Sequence, residues 1–229
     1  MNNLPKTAIL TIALLACFLY NSVTADAAPL TKKPTAWYKV EMVVFSQLTY
    51  GEMQNEVWPA LPPFTLPQSV YTLIPPQVFA AQQGANALTF PLMTNQDFNL
   101  QKEAMHISHN PNYKIVGHVA WLQPITIKHQ IIPTYIQASN GQTSLDALLT
   151  ISKKHYIQLN MQGIASIQDN GFSKAWLKKN NIDDNDIIRF KVDRSIRMKS
   201  NELDYIDTPF IGVLIEITAY KGNPNQPTN

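Results

Sequence analysis

The chain has 229 residues, 45% of them hydrophobic and 15% charged, so it can bury a sizeable core and does not have the composition of a disordered chain. Its 18 basic and 16 acidic side chains leave a formal charge of +2. That balance supplies no field for a nucleic-acid backbone or an anionic membrane, and nucleic-acid partners are set aside.

Lys6 is the only charge in residues 1–23, and residues 8–20, AILTIALLACFLY, form an apolar-to-neutral run. Its 13 residues fall short of a membrane span and suit the core of a secretion signal. Ala25-Asp26-Ala27 stands where an A-x-A cleavage site belongs, which predicts a signal peptide over 1–27 and no transmembrane segment after cleavage. The single cysteine, Cys17, lies inside that leader. Leu14-Leu15-Ala16-Cys17 faintly matches a lipidation box, but the apolar run continues through Phe18, Leu19 and Tyr20, where a lipoprotein turns polar. A mature chain without cysteine has no disulfides, which points to the bacterial periplasm rather than to a bridged eukaryotic secreted domain.

Residues 28–36 read as a linker. Residues 37–48, WYKVEMVVFSQL, read as a strand apolar on both faces and therefore central. A turn follows at 51–56. Residues 57–96 hold no charge and seven of the 16 prolines, so they predict an irregular arm laid over apolar surface rather than central sheet. A modest helical pattern occupies 95–108, with Asn95 as its cap, and a strand covers 113–123, stopped by Pro124. Residues 125–141 read as a loop closing on the Asn140-Gly141 turn. Period-two alternation through Leu145, Ala147, Leu149 and Ile151, then Ile157, Leu159, Met161, Ala165 and Ile167, predicts an antiparallel hairpin. A helical turn is expected within 173–179, final strands over 187–199 and 210–219, and a loose tail over 220–229.

The sum is an α+β domain over 37–219: a mostly antiparallel sheet of about six strands, one or two short helices and the proline-rich arm. The last two strands are expected to face each other across an irregular link, with Ile211, Val213, Ile215 and Ile217 turned to the core.

Catalytic chemistry finds little footing. His106, His109 and His118 offer an H-x-x-H with a third imidazole, but no carboxylate joins them convincingly, and no metal or other cofactor is expected. Only 8 scattered glycines supply no phosphate loop, and neither G-x-S-x-G nor S-x-x-K with its companions is present. Glu202, Asp204 and Asp207 crowd one connection instead of facing each other across a cleft, which argues against paired-carboxylate glycoside cleavage. Binding chemistry fits better. Arg197, Glu202, Asp204, Tyr205 and Asp207 place a guanidinium fork, carboxylates and an aromatic face within a short span, the mixture that sugars with attached peptides require. The bland alternative is that these side chains satisfy one another across a hairpin end.

Four segments together carry a family resemblance: Trp37 to Phe45; Glu56-Val57-Trp58-Pro59; His118 to Pro124, HVAWLQP; and Arg197 to Pro209, RMKSNELDYIDTP, before Gly212-Val213-Leu214. The chain resembles the CsiV-type peptidoglycan-binding proteins of Gram-negative bacteria over nearly all of its mature length. It departs from the family pattern at Asp204 and Thr208, where histidines are usual. The resemblance implies a periplasmic, non-catalytic protein that binds peptidoglycan. It also implies support of a bifunctional penicillin-binding synthase through its outer-membrane lipoprotein activator. Trp121 and Gln123 join the candidate binding set through the third segment. The alternative of a different class is an envelope protein–protein adaptor that uses residues 61–76 of the arm and touches no glycan.

Overall fold

The run WYKVEMVVFSQ, apolar on both faces, becomes β1 (Trp37–Gln47) and is buried along nearly its whole length. In the computed structural model it lies between β4 (Tyr113–Pro124) and β10 (Ile211–Tyr220), antiparallel to both, with β9 (Leu203–Asp207) on the far side of β10. A second antiparallel sheet runs β5 (Thr134–Ser139), β6 (Thr143–Lys153), β7 (Ile157–Ile167) and β8 (Ile188–Met198) in that order. The structure describes residues 36–47, 61–82, 88–126, 132–168, 174–180, 187–208 and 210–224. The expected leader with Cys17, the turn at 51–56, the Trp58 segment, Pro209 and most of the linker lie outside them.

The two sheets close on one core. Tyr38, Val40, Met42 and Val44 of β1, Trp121 of β4 and the odd residues Ile211 to Ile217 of β10 meet Ile136, the odd residues Leu145 to Ile151, Leu159, Met161 and Phe190 of the second sheet. Burial of this many Ile, Leu and Val side chains, each contributing roughly 1.5–3 kcal/mol, is what holds the sandwich. Trp176 and Leu177 on the short helix α3 (Lys174–Lys179) add two more buried residues to this core.

Several expectations are corrected here. The architecture is mainly β with three sheets, not α+β, and the described residues hold ten strands rather than six. The loop expected over 125–141 contains β5, whose Thr134, Ile136 and Ala138 are buried while Gln137 and Ser139 face out. The arm is not wholly irregular. It forms β2 (Thr72–Ile74) and α1 (Pro76–Ala81), and β2 pairs in parallel with β3 (Thr89–Pro91). The helix expected over 95–108 splits into a 3-10 turn, Asn95–Asp97, and α2 (Gln101–His109), with Leu100 rather than Asn95 at its cap. The last two expected strands do not face each other: β8 belongs to the second sheet and β10 to the first. Asn201, in the left-handed region at φ 64°, and the Lys199 N–H donating to Glu202 Oε2 at 2.9 Å tighten the turn between them. The chain thereby crosses from one sheet to the other and enters β9, which the sequence reading took for a link.

The small pair joins the sheets. Met93 N–H donates to the Ala120 carbonyl on β4, and Tyr135 N–H on β5 donates to the Tyr71 carbonyl, both at 2.8 Å. The opposite seam, between β8 and β9, is closed by side chains. Arg194 occupies the inward register of β8 after Ile188, Phe190 and Val192, and its Nε and Nη1 donate at 3.1 Å to the carbonyls of Asp207 and Asp193. Phe190 of β8 and Phe210, just before β10, pack on each other with ring centroids 3.7 Å apart.

Where β7 runs beside β6, Gly163 stands opposite Ala147 and leaves no room for a side chain: a Cβ there would meet the Asp146 carbonyl oxygen and come within 2.7 Å of Ala147 Cα. Because both obstacles belong to backbone, Gly163→Ala is expected to destabilise the domain by about 1–3 kcal/mol. Chemical denaturation measures this, and an unchanged midpoint contradicts so close an approach.

Candidate functional site

Residues of β1 alternate, so Lys39, Glu41, Val43, Phe45 and Gln47 share the face of the first sheet turned away from the sandwich core. One end of that face forms an aromatic shelf. Gly212 stands opposite both Phe45 and Asp207, and a Cβ at Gly212 would collide with the Phe45 ring and lie 2.9 Å from Tyr205 Cε2. The bare glycine thus lets Tyr205 lean across β10 and stack on Phe45, with centroids 6.1 Å apart and planes within 10°. Tyr113 meets Phe45 edge-on at 5.3 Å. Phe45 is buried, whereas Tyr205 keeps 43% of its surface exposed and Leu203, two residues before it on β9, keeps 45%.

The polar tip of the shelf is a three-membered network. Tyr205 Oη donates to Asp207 Oδ1 at 2.9 Å, and Gln47 Nε2 reaches both Tyr205 Oη and Asp207 Oδ1 at 3.0 Å. Burial of part of the ring and the Asp207 carboxylate together push the Tyr205 hydroxyl well above the ordinary tyrosine value, so it remains a donor at any physiological pH. Arg194 holds the Asp207 carbonyl from the neighbouring strand.

The seven residues singled out in the sequence therefore separate. Tyr205 and Asp207 meet at the shelf. Asp204 borders it, accepting the Tyr205 N–H at 2.8 Å on the free edge of β9. Glu202 is engaged in its own turn. Arg197 lies on the other sheet with its guanidinium 3.8 Å over the Tyr156 ring. Trp121 and Gln123 are fully buried, with Trp121 Nε1 donating to Gln123 Oε1 at 2.7 Å, so they stabilise the core and present no surface to a ligand. Sequence reasoning missed Phe45, Gln47, Tyr113 and Arg194. Phe45 and Gln47 were legible as outward residues of β1, and Arg194 as a charge breaking an apolar alternation; what the sequence does not show is that β9 lies beside them.

The other end of this face carries a buried carboxylate. Glu41 is fully buried and accepts four donors: Leu100 N–H at 2.7 Å and His118 Nε2 at 2.8 Å on Oε1, Asn99 N–H at 2.7 Å and Lys39 Nζ at 3.1 Å on Oε2. Lys39 Nζ also donates to the Asp97 carbonyl at 2.8 Å, and Asn99 Nδ2 to Glu216 Oε2 at 2.8 Å. His118 is thus committed to Glu41 and packs against Phe98 at 4.4 Å, while His106 and His109 stay exposed on α2. Among the described residues no group of three or more His, Cys, Asp or Glu side chains is placed to hold a metal ion.

The outer face of the first sheet thus presents an exposed tyrosine beside a carboxylate and an amide. The family model for CsiV, peptidoglycan-binding protein, matches residues 8–220, and the chain belongs to that family. No curated protein gives a significant match. Among solved structures the chain is similar to the type II secretin GspD from enteropathogenic Escherichia coli, at 10% identity and a TM-score of 0.29, covering 95% of this chain and 75% of that one. A score that low supports no statement about fold or function. Among the described residues no helix is long and apolar enough to cross a membrane.

Burial alone would raise the Glu41 carboxyl, but the hydrogen bonds from His118, Asn99, Leu100 and Lys39 outweigh it and hold the group below the ordinary glutamate value of 4.5. A depressed folded-state value means that this stability is fully present above about pH 4.5 and is lost as pH falls through the folded value. Glu41→Gln is expected to cost roughly 3–5 kcal/mol at neutral pH, since it leaves Lys39 buried beside no counter-charge. The variant's stability should also fall less steeply than the wild type's below pH 4.5. Parallel acid titrations monitored by circular dichroism test both, and identical acid limbs would show that Glu41 is not the group involved.

Proposed function

We propose that this is a non-catalytic peptidoglycan-binding protein of the periplasm, and that the shelf of the first sheet receives a sugar ring of the glycan strand. The observation that carries this reading is the exposed Tyr205 ring set beside the Gln47–Asp207 pair. An aromatic face suits the apolar face of a pyranose, while a carboxylate and an amide take its hydroxyl and N-acetyl hydrogens. Such a site needs no long-range field, in keeping with a formal charge of +2.

Arg194 is better placed than Arg197 to hold a stem-peptide carboxylate near the shelf. Its guanidinium is anchored to the Asp207 carbonyl and keeps N–H groups beyond those given to Asp193 and Asp207. Asp204 and Glu202 then act on the shelf through the β9 backbone rather than by touching sugar. Export through the leader at 1–27, and assistance to a bifunctional penicillin-binding synthase through its outer-membrane lipoprotein activator, belong to this same proposal. They draw their support from the leader's sequence and from family membership. The adaptor reading draws less support, because Tyr71 and Phe90 of the arm stack on each other at 4.2 Å and pack against the core.

Co-sedimentation of the mature chain with purified sacculi tests the proposal. Tyr205→Ala should weaken retention about tenfold, the equivalent of about 1.4 kcal/mol, with Asp207→Asn giving a smaller loss in the same direction. Melting curves establish that both variants fold. A wild-type chain left wholly in the supernatant, or folded variants that bind as well as it does, would refute the shelf.

A further inference from the structure

The polar network of the shelf recurs on the opposite face of the molecule. Tyr135 and Gln137 alternate with the buried Thr134, Ile136 and Ala138 along β5, so both point away from the core. Gln137 stands directly opposite Asp146 on β6, and Tyr135 lies diagonally across from it. Tyr135 Oη donates to Asp146 Oδ1 at 2.5 Å, and Gln137 Nε2 donates to the same oxygen at 3.3 Å. A phenylalanine backs the tyrosine here too: Phe64, from the proline-rich arm, stacks on Tyr135 with centroids 6.1 Å apart and planes within 9°.

The correspondence with the first sheet is close. Each group consists of a tyrosine hydroxyl and a glutamine amide sharing one aspartate oxygen, with a phenylalanine stacked near-parallel at the same centroid separation. The two differ in what supplies the phenylalanine. In the first sheet it is β1 itself, and in the second it is the uncharged arm, which also explains why a segment so rich in proline is held against the sheet at Tyr71 and Tyr135. The surrounding face of the second sheet is polar: Asn160 donates to Thr150 Oγ1 at 3.4 Å, and Lys191 pairs with Asp193 at 2.9 Å.

We propose that Tyr135, Gln137 and Asp146, backed by Phe64, form a second glycan-binding site, so that one chain engages sugar on both outer faces of the sandwich. This inference rests on the reading of the Tyr205 shelf, whose chemistry it repeats. Its consequence is avidity. Two weak sites on one rigid domain hold a polymeric wall far more tightly than either holds a single fragment, and they let one molecule tie two glycan strands together.

The probe is a disaccharide–tetrapeptide released enzymatically from sacculi, titrated into the isotope-labelled mature chain by NMR. Two groups of amide shifts are expected, one over 135–147 and one over 204–213. The double variant Gln137→Ala with Asp146→Asn should lose the first group and keep the second. Retention on intact sacculi should fall at least about tenfold with the loss of either site, although fragment affinity at the other is unchanged. Shifts confined to 204–213 would overturn the second site and leave the shelf standing. Shifts confined to 135–147 would overturn the shelf and, with it, the two-site inference. Saturation of neither group would remove both.

Discussion

The most demanding feature of the fold is a carboxylate with no access to water. Glu41 sits in an inner strand of the first sheet, and a bare charge there would cost several kcal/mol. Four donors meet its two oxygens, and they come from three places: the chain at 99–100, His118 on β4, and Lys39 two residues away on β1. Two of the four are backbone N–H groups at the entry to α2, so the carboxylate also satisfies helix N-terminal donors that no side chain of the helix reaches. The helix itself buries none of its residues. Its position therefore depends on its N-terminus being tied to Glu41 more than on an apolar face. The same tie draws residues 97–100 over Lys39 and Glu41, covering that end of the sheet and leaving the Phe45–Tyr205 end open.

Much of the core was legible because period-two alternation survives wherever a strand has one wet face. The buried odd residues of β6, β7 and β10 are the ones that the pattern picks out, and the doubly apolar β1 lies between two neighbours as its composition requires. The misses have two physical origins. β5 is six residues long and directly follows Pro133, so turn signals masked a short but regular alternation. β9 is rich in aspartate, which strands disfavour, and only its pairing with β10 makes it one. Local propensity cannot report a pairing made by another segment. Reading β9 as a link removed an edge strand and left β8 and β10 looking like partners, and with β2, β3 and β5 also unread the strand count fell to about six beside the helices, which gave α+β.

The candidate site was half legible for the same reason. Tyr205 and Asp207 stand two apart in sequence and share a face once β9 is a strand, so their association is local. Phe45, Gln47 and Gly212 reach them only through the register of β1 and β10. Trp121 and Gln123 misled because an aromatic next to an amide reads the same whether it faces a sugar or forms a buried hydrogen bond; their burial, which sequence does not fix, separates the two cases.

The acidic character of β9 has a physical cause within the fold. β9 is an edge strand that carries exposed Leu203 and Tyr205, and an edge with exposed apolar side chains pairs readily with another copy of itself. Asp204 covers the Tyr205 N–H, and Arg194 covers the Asp207 carbonyl, so two groups that an incoming strand would need are occupied. Arg194 does this from the inward register of β8, at the cost of an apolar position, and in doing so substitutes a guanidinium for the backbone rung that the two edges lack. An exposed aromatic can then remain on the edge without inviting strand addition. An edge strand that keeps a tyrosine exposed needs such protection, and Asp204 and Arg194 supply it by occupying the Tyr205 N–H and the Asp207 carbonyl.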